Sequence, residues 1–220
     1  MTDPKEIVRA GYDAMAERYS SWRLEIEGSP AESWLDELDG RLEDDARVLD
    51  LGCGNGEPAG RMLAPRHRYT GVDLSAEQLA RARALIPRGE FLHGDFTQLD
   101  FPAQSFNAVV SVYVFNHVPR AELPPLLQRI EEWLTPDGFL LASFGCSGFE
   151  GVEDGWLGVP MFFASYTEAE TLDLVRGAGL ELERHEVVPI REPEGEARFL
   201  WILARKAPSR THRGPPSGRE

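Results

Sequence analysis

Cysteine is almost absent from this sequence, with 2 in 220 residues, Cys53 and Cys146. Two cysteines cannot form the disulfide framework of small secreted domains, so we expect a reducing compartment, the cytoplasm. No apolar run reaches the roughly 18 residues of a membrane-spanning helix. The first residues are polar and lack the apolar stretch of a signal peptide. These absences predict a cytoplasmic protein that does not act at a membrane.

Basic residues are also scarce. The 23 Lys and Arg residues stand against 37 Asp and Glu residues, which gives a formal net charge of −14. Such a charge repels the phosphates of nucleic acids and of anionic membrane surfaces. The histidines are scattered without metal-ligand spacing, so no metal site is predicted. We predict a small-molecule substrate and no nucleic-acid partner, while the sequence leaves the oligomeric state open.

Apolar and amphipathic segments alternate along a chain of single-domain length. Segments with helical periodicity are predicted at residues 4–19, 30–41, 57–64, 75–86, 120–134 and 167–178. Short apolar strands are predicted at residues 47–51, 68–72, 90–93, 106–112, 139–144, 180–190 and 197–205. Apolar strands separated by helices predict an α/β fold with a parallel sheet. The last two strands nearly adjoin and are predicted to pair antiparallel.

Three glycines alternate directly after the first strand, in the run Asp50-Leu-Gly52-Cys-Gly54-Asn-Gly56. Glycine lets a backbone turn sharply and lets a ligand approach closely, whereas an ordinary turn needs only one glycine. A dinucleotide fingerprint would place a glycine where Glu57 stands. The Glu57 carboxylate would compete with a pyrophosphate for the amides of the helix start. The run therefore favours a ligand without phosphates.

Acidic residues follow the next two strands. Asp73 lies 21 residues after Gly52, and an acid about 20 residues beyond such a loop is typical of ribose binding. Its alternative role, capping a helix, can be met by Ser75. Asp95 and Phe96 follow the third strand, where a carboxylate can accept from an exocyclic amine and a ring can pack on a base. The alternative for Asp95 is an ordinary turn.

The segments VLDLGCGNG, GVDLS, GDFTQLDFPAQSFNAVVS and LTPDGFLLAS resemble, in this order, the class I S-adenosylmethionine-dependent methyltransferases. The resemblance covers about residues 47–144. It implies a Rossmann-like, seven-stranded, mostly parallel sheet with an antiparallel last strand and an N-terminal helical lid. It also implies S-adenosyl-L-methionine as cofactor, with S-adenosyl-L-homocysteine as product. The chain lacks the Asn/Asp-Pro-Pro-aromatic signature of members that methylate nucleic-acid bases.

The resemblance assigns the cofactor site residue by residue. The glycines would lie under the methionine portion, Asp73 would hold the ribose, and Asp95 with Phe96 would hold the adenine. Tyr12 and Tyr19 belong to a pattern that resembles a helix covering the cofactor. The implied cofactor residues are Tyr12, Tyr19, Asp50, Gly52, Gly54, Gly56, Asp73, Leu74, Asp95, Phe96, Ser111 and Val112.

The acceptor site is predicted from side-chain chemistry. His117 follows the fourth strand and has an ordinary pKa suited to a general base, although packing or a loop hydrogen bond is the alternative. An aromatic pocket suits a sulfonium, so Tyr113, Trp156 and Phe162 are predicted to bind the acceptor, unless they belong to the core. A Gly- and acid-rich loop is predicted over residues 145–158. It serves either as part of a substrate lid or as a solvated loop over a hydrophobic plug.

The predicted organisation is a helical lid at residues 1–44, a cofactor-binding methyltransferase domain at 45–206, and a disordered tail at 207–220. We predict methyl transfer to an O, N or C nucleophile of a small molecule. Three alternatives stay open: an NAD-binding oxidoreductase, another use of the same cofactor without methyl transfer, and a cofactor-binding module without turnover.

Overall fold

A computed structural model describes residues 3–23, 25–193 and 195–207. The α-helices are α1 (Pro4–Arg23), α2 (Ala31–Asp39), α3 (Ala59–Leu63), α4 (Ala76–Leu85), α5 (Leu123–Trp133) and α6 (Glu168–Gly177). The strands are β1 (Arg47–Leu51), β2 (Arg68–Asp73), β3 (Glu90–His93), β4 (Phe106–Ser111), β5 (Leu134–Gly145), β6 (Glu150–Trp156), β7 (Val159–Ala164), β8 (Leu180–Glu192) and β9 (Gly195–Lys206). Except for Ala207, the tail predicted to be disordered lies outside the described residues.

Seven strands form one sheet in the order β3-β2-β1-β4-β5-β9-β8. Strands β1 to β5 pair in parallel with one another, whereas β9 is antiparallel to both β5 and β8. The predicted Rossmann-like sheet with an antiparallel last strand is therefore confirmed. The strand order reverses between β1 and β4, and open α/β sheets bind ligands beyond the carboxyl ends of strands at such a point.

Helices bury apolar clusters on both faces of the sheet. Val48 belongs to the cluster under α2, and its neighbour Leu49 to the cluster under α5, as alternation along a strand requires. In the first cluster the ring of Trp34 from α2 stacks on Trp201 of β9 at 5.8 Å. Helix α2 is therefore part of the sheet core. Among the described residues of the segment predicted as a lid, α1 is the helix that packs outside the sheet core.

The prediction of an irregular loop over residues 145–158 is wrong. Strands β6 and β7 form an antiparallel hairpin in which Trp156 pairs with Val159. The two residues between them, Leu157 and Gly158, both have positive φ, 50° and 79°. Tight hairpin turns require such angles and usually obtain them from Asn-Gly or Asp-Gly. A leucine in this position gives no turn signal, which is why the sequence pattern missed the hairpin.

The hairpin packs against α1. Met161 and Phe162 of β7 are buried with Val8 and Met15 of α1 in a separate apolar cluster. Together, α1 and the hairpin form a layer over the carboxyl edge of the sheet. Within residues 3–23, 25–193 and 195–207, no helix has the length and apolarity that crossing a membrane would need.

Candidate functional site

Two cavities lie between the carboxyl edge of the sheet and the layer formed by α1 and the hairpin. The first cavity is bounded by the glycine run and by the segments that follow β2, β3 and β4. The second lies between α1, the hairpin and the start of β9, and has a volume of about 760 Å³. Ligand pockets for small molecules typically have volumes of about 300–1,000 Å³.

Most residues assigned to the cofactor by resemblance line the first cavity. Those that do are Tyr12, Tyr19, Gly52, Gly54, Asp73, Leu74, Asp95, Phe96 and Val112. Asp50, Gly56 and Ser111 do not. Asp50 is buried and accepts a 2.6 Å bond from the Tyr69 hydroxyl, and Ser111 Oγ donates to the Leu51 carbonyl at 3.1 Å. These three residues support the loop from behind, because their side chains or Cα atoms face the core.

The glycine run uses nearly all its own amides. The N–H groups of Gly52 and Cys53 donate to the Val72 carbonyl, and that of Gly54 donates to Asp73 Oδ2 at 2.8 Å. The N–H groups of Gly56 and Glu57 also donate within the loop, to the Cys53 carbonyl and to Asn55 Oδ1. Among the described residues, only the N–H of Asn55 has no recorded partner in this run. A pyrophosphate needs several free amides, so the loop fits a ligand without phosphates.

Gly54 presents its Cα to the first cavity. A Cβ added there would meet no heavy atom within 4 Å, and the φ of +53° lies in the left-handed region that favours glycine. By contrast, a Cβ at Gly52 would lie 2.3 Å from Val114. The open space at Gly54 is therefore a cradle that a side chain would fill, and a ligand portion fits there.

Asp73 is the acidic centre of the first cavity. Its Oδ2 accepts from Gly54 N and its Oδ1 from Ser75 N, both at 2.8 Å. Burial raises the pKa of Asp73, against the lowering effect of these two N–H donors. Each carboxylate oxygen keeps a lone pair for a further donor such as a ribose hydroxyl. Ser75 itself caps α4 by accepting from Gln78 N at 3.2 Å, so Asp73 is not needed as the cap.

Asp95, which follows β3, also lines the first cavity and already has a cationic partner. Lys5 Nζ of α1 donates to Asp95 Oδ2 at 2.7 Å, to Thr97 Oγ1 at 2.6 Å and to Glu122 Oε2 at 2.5 Å. Burial lowers the pKa of Lys5, but the bonds to Asp95 and Glu122 outweigh it and the pKa is raised. Asp95 therefore anchors the start of α1, and an adenine amine would have to share this carboxylate with Lys5.

His117 is buried and neutral. Its Nδ1 lies 2.8 Å from the Phe162 carbonyl oxygen, which can only accept, so Nδ1 carries the proton. Its Nε2, 2.9 Å from the Tyr12 hydroxyl, is therefore an acceptor, and Tyr12 is the donor. Burial lowers the pKa of His117 to about 4, although the Phe162 carbonyl opposes this shift. The imidazole lone pair faces Tyr12, so a proton from an acceptor would reach His117 through that hydroxyl.

The two cavities share one wall. Tyr12, Tyr19, Arg23, Tyr113 and His117 line both of them. Tyr113 is held there in a backbone conformation with φ of 61°, which non-glycine residues rarely adopt. Its N–H donates to Ser143 Oγ at 2.6 Å, and its hydroxyl lies 2.8 Å from Ser29 Oγ. Strain of this kind is often stored at functional sites.

Aromatic rings make up the part of the second cavity nearest this wall. The Trp156 ring lies 5.4–6.4 Å from the rings of Tyr12, Tyr19, Trp22, His117 and Phe163. Of the predicted acceptor residues, Tyr113 and Trp156 line this cavity, but Phe162 does not. Phe162 points into the cluster with α1 and contributes its carbonyl to His117, whereas its neighbour Phe163 faces the cavity. Alternation along β7 explains the exchange, since successive strand residues face opposite sides.

Sequence patterns missed four polar residues of α1 at this site. Besides Lys5 and Arg9, which line the first cavity, these are Asp13, which accepts a 2.5 Å bond from Ser75 Oγ, and Arg23, whose Nη1 donates to the Glu57 carbonyl at 2.8 Å. No spacing rule marks them, because they lie on a helix whose docking onto the sheet is a tertiary feature. The described residues include no group of His, Cys, Asp and Glu arranged for a metal ion.

The sheet order, the glycine cradle and the acidic residue after β2 define a Rossmann-like α/β protein with a site for a nucleoside-type ligand without phosphates. Residues 48–138 match the family described as "Methyltransferase domain". Together with the fold, this match supports a class I S-adenosylmethionine-dependent methyltransferase.

Curated relatives share part of the chain. A fatty-acid O-methyltransferase of Mycolicibacterium smegmatis is 37% identical over 100 residues, which are 43% of this chain and 35% of that protein. A phosphatidylethanolamine N-methyltransferase of Cereibacter sphaeroides is 31% identical over 122 residues, which are 50% of this chain and 58% of that protein. The chain thus spans about a third to three fifths of the length of these two relatives.

Solved structures share the fold over nearly the whole chain. The 1,6-didemethyltoxoflavin-N1-methyltransferase of Burkholderia thailandensis, solved with 1,6-didemethyltoxoflavin and S-adenosylhomocysteine, has a TM-score of 0.71. It is 24% identical, and the match covers 94% of this chain and 92% of that one. At this identity the likeness shows the fold alone.

Proposed function

We propose that this protein transfers a methyl group from S-adenosylmethionine to a small-molecule acceptor. The observation that carries the proposal is the pair of cavities joined by one wall of shared residues. The first cavity fits the cofactor by its glycine cradle and by Asp73, and the second has the volume and aromatic lining of an acceptor site. When bound, S-adenosylmethionine supplies an electrophilic methyl group on a sulfonium.

The chain's own residues would bind, orient and exclude water. We assign the ribose hydroxyls to Asp73, the adenine to Asp95 and Phe96, and the amino-acid portion to the surface at Gly52 and Gly54. Holding two reactants in line is worth roughly 7–11 kcal/mol in favourable cases. Helix α1 and the hairpin would close over both ligands, which is the lid role proposed for the N-terminal segment.

Where the acceptor carries a proton, Tyr12 and His117 would remove it together. The Tyr12 oxygen takes the acceptor proton while its own proton passes to Nε2 of His117, and Nδ1 keeps its bond to the Phe162 carbonyl. The imidazolium so formed is acidic, with a pKa near 4 in the folded protein, and returns the proton to solvent. General bases contribute about 10²–10⁴-fold to rate when their pKa lies near the operating pH, so His117, with its lowered pKa, would contribute less than this.

Acceptors of several classes are compatible with the second cavity. The relatives are named for fatty-acid O-methylation and phosphatidylethanolamine N-methylation, and the structural neighbour for N-methylation of a heteroaromatic compound. The net charge of −14 disfavours nucleic acid. We propose a cytoplasmic location, since both cysteines are free thiols in the structure.

Two other functions are less well supported: one uses another cofactor, and the other uses S-adenosylmethionine without methyl transfer. An NAD-dependent oxidoreductase is disfavoured by the occupied amides of the glycine run and by Glu57. A function other than methyl transfer has a structural parallel, because the [4+2]-cyclase SpnF shares the fold with a TM-score of 0.63 at 21% identity.

The test is methyl transfer from S-adenosylmethionine carrying a trideuterated methyl group to a mixed panel of phenols, heteroaromatic N–H compounds, amines and fatty acids. Mass spectrometry should detect one product class enlarged by a single trideuteromethyl group. The matched control is Gly54→Val, which should form none of it. Bound cofactor without any labelled product would favour the module without turnover.

A further inference from the structure

We infer that the second cavity contains a subsite for a cyclic amide, a ring with adjacent N–H and C=O groups, formed by Asn116, Ser147 and Ser165. The inference rests on the proposed function and names the class of acceptor for the same site. All three residues line the second cavity, and none of them lines the first. We call these three residues the polar cluster.

Three chain segments bring the polar cluster together. Asn116 belongs to a 3₁₀ turn after β4, Ser147 follows β5, and Ser165 follows β7. The Ser165 N–H donates to the Phe149 carbonyl at 2.7 Å, which holds the segments after β5 and β7 together. A Cβ added to Gly145 would lie 3.0 Å from Ser165 Cβ and 3.5 Å from Asn116 Cβ, so these two side chains approach each other across Gly145. The polar cluster is therefore held in place by the backbone around it.

Asn116 carries a hydrogen-bond acceptor without a partner. The residue is only 9% exposed, and its Nδ2 lies 3.4 Å from Nε2 of His117. Because Nε2 carries no proton, the amide nitrogen and not the amide oxygen must face it, which fixes the orientation of the amide. Its Oδ1 has no hydrogen-bond partner among residues 3–23, 25–193 and 195–207. An unpaired buried oxygen is costly, so we expect a donor on a bound ligand to meet it.

The two serines carry a hydrogen-bond donor. Their Oγ atoms lie 3.0 Å apart, and either can be the donor. Since one hydroxyl donates to the other, the pair uses one of its two protons for this bond. The second proton has no acceptor in the part of the chain that the structure describes, and Ser165 is itself only 9% exposed. The polar cluster therefore offers one donor and one acceptor, both uncharged.

A cyclic amide has the complementary groups. Its N–H would donate to Asn116 Oδ1, and its C=O would accept from the serine pair. The two groups lie side by side in the plane of a ring, and the rings of Trp156 and Phe163 line the same cavity, where they can pack on it. A carboxylate or an ammonium group fits less well, because the polar cluster carries no charge to balance it.

The polar cluster adjoins the pair that would remove the acceptor proton. Asn116 Nδ2 and the Tyr12 hydroxyl both contact Nε2 of His117, at 3.4 Å and 2.9 Å. A ring held by Asn116 would therefore lie beside Tyr12, at the wall shared with the first cavity. Asn116 is thus the residue that selects an N–H group on the acceptor and sets the position of the ring.

Two bicyclic probes of equal shape test the assignment. Chemical-shift titration of the full-length, nitrogen-15-labelled protein saturated with S-adenosylhomocysteine compares 2-quinolinone, a cyclic amide, with coumarin, which has a ring oxygen in place of the N–H. The unaltered protein should bind 2-quinolinone at least about tenfold more tightly, because coumarin leaves Asn116 Oδ1 unpaired. In Asn116→Leu, which removes the acceptor at similar size, the preference should fall below about twofold.

Two further variants separate the roles of the polar cluster. Replacing both Ser147 and Ser165 by Ala should weaken the two probes equally and leave the preference for 2-quinolinone, because both probes keep the carbonyl. The matched control is Asn107→Leu, the same substitution in β4 at a residue that lines neither cavity. It should leave both affinities unchanged. Circular dichroism checks that each variant folds, and Asn116→Ala replaces Asn116→Leu if the latter does not.

Three results would overturn the inference. One is equal binding or no binding of the two probes by the unaltered protein, as expected if water satisfies Asn116 Oδ1. The second is a preference for 2-quinolinone that survives loss of the Asn116 amide. The third is tighter binding of 2-naphthol, whose single hydroxyl both donates and accepts, since it would assign the polar cluster to a hydroxyl. Failure of the proposed function is a separate result: the protein then does not bind S-adenosylhomocysteine, and the same titrations without it report on the second cavity alone.

Discussion

The Tyr12 hydroxyl donates a 2.9 Å hydrogen bond to Nε2 of His117 in the wall between the two cavities. The pairing follows from the Phe162 carbonyl, which fixes the proton of His117 on Nδ1. His117 thus has no free lone pair for an acceptor, and in the proposed mechanism it orients the Tyr12 hydroxyl. The direction of this bond can be measured without knowing the acceptor.

We expect His117 to remain a neutral Nδ1–H tautomer from pH 5 to pH 8, because burial lowers its pKa to about 4. Nitrogen-15 spectra of the histidine side chains should show an unprotonated Nε2 shifted by a hydrogen bond. In Tyr12→Phe the shift should move toward that of a free lone pair, because only the longer 3.4 Å contact with Asn116 Nδ2 remains at Nε2, while Nδ1 keeps its proton. A proton on Nε2, or a charged ring at pH 6, would contradict the assignment.

Asp50 predicts a pH dependence of stability. Burial raises its pKa to about 7, despite the Tyr69 hydroxyl bond, from an ordinary value of 3.8. The folded state therefore holds a proton that the unfolded chain loses near pH 4, so stability from this group is lost as pH rises through 7. Asp50→Asn cannot ionise, and its unfolding free energy relative to the unaltered protein should rise by roughly 2–4 kcal/mol between pH 5 and pH 8.

Urea unfolding at the two pH values measures this difference. His117 contributes in the opposite sense, since its lowered pKa favours the folded state above pH 6.5 and this contribution is lost as pH falls toward 4. This contribution of His117 is the same in Asp50→Asn and in the unaltered protein, so it cancels when their unfolding free energies are compared. Asp36→Asn, the same substitution at an exposed position of α2, is the control variant. Parallel curves for Asp50→Asn and the unaltered protein would show that Asp50 is ionised when buried.

Gly54→Val should abolish binding of S-adenosylhomocysteine while the protein remains folded. The new side chain meets no protein atom within 4 Å of its Cβ, so it fills the cradle and leaves the core unchanged. The positive φ adds roughly 1–2 kcal/mol of strain. Calorimetry measures the binding, and circular dichroism measures whether the protein remains folded. The control is Gly155→Val, at a glycine of the hairpin that also has open space around an added Cβ. Unimpaired binding would mean that the cavity is not the cofactor site.

Asp73→Asn tests the ribose assignment. The amide keeps one acceptor for the loop but loses the charge, so we expect binding of S-adenosylhomocysteine to weaken by about 1.5–3 kcal/mol. The 2′,3′-dideoxy analogue lacks the hydroxyls and should bind the variant and the unaltered protein with similar affinity. An equal loss for both ligands would assign Asp73 to the loop alone.

Sequence patterns predicted the sheet well because its residues are constrained locally. Strand β1 has the predicted bounds, Arg47–Leu51. Asp73 and Asp95 line the first cavity as predicted, because parallel strands bring their carboxyl ends to one edge of the sheet. Capping of α4 by Ser75 could also be predicted, since its Oγ accepts from the N–H of Gln78, three residues further along the chain.

Features that depend on tertiary packing could not be predicted from the sequence. The Leu157-Gly158 turn of the hairpin lacks the usual residues, and the contacts of Lys5 and Arg23 exist only because α1 docks across the cavity. The sequence predicts Phe162 as an acceptor-binding residue, but its neighbour Phe163 faces the second cavity. A shift of one residue along a strand exchanges the two faces.

The central claim, that the first cavity binds S-adenosylmethionine and its product, is tested most directly by calorimetric titration with S-adenosylhomocysteine and, in parallel, with NAD. We predict micromolar or tighter binding of S-adenosylhomocysteine and no binding of NAD. Binding of NAD alone would contradict both the cofactor assignment and the interpretation of the glycine run.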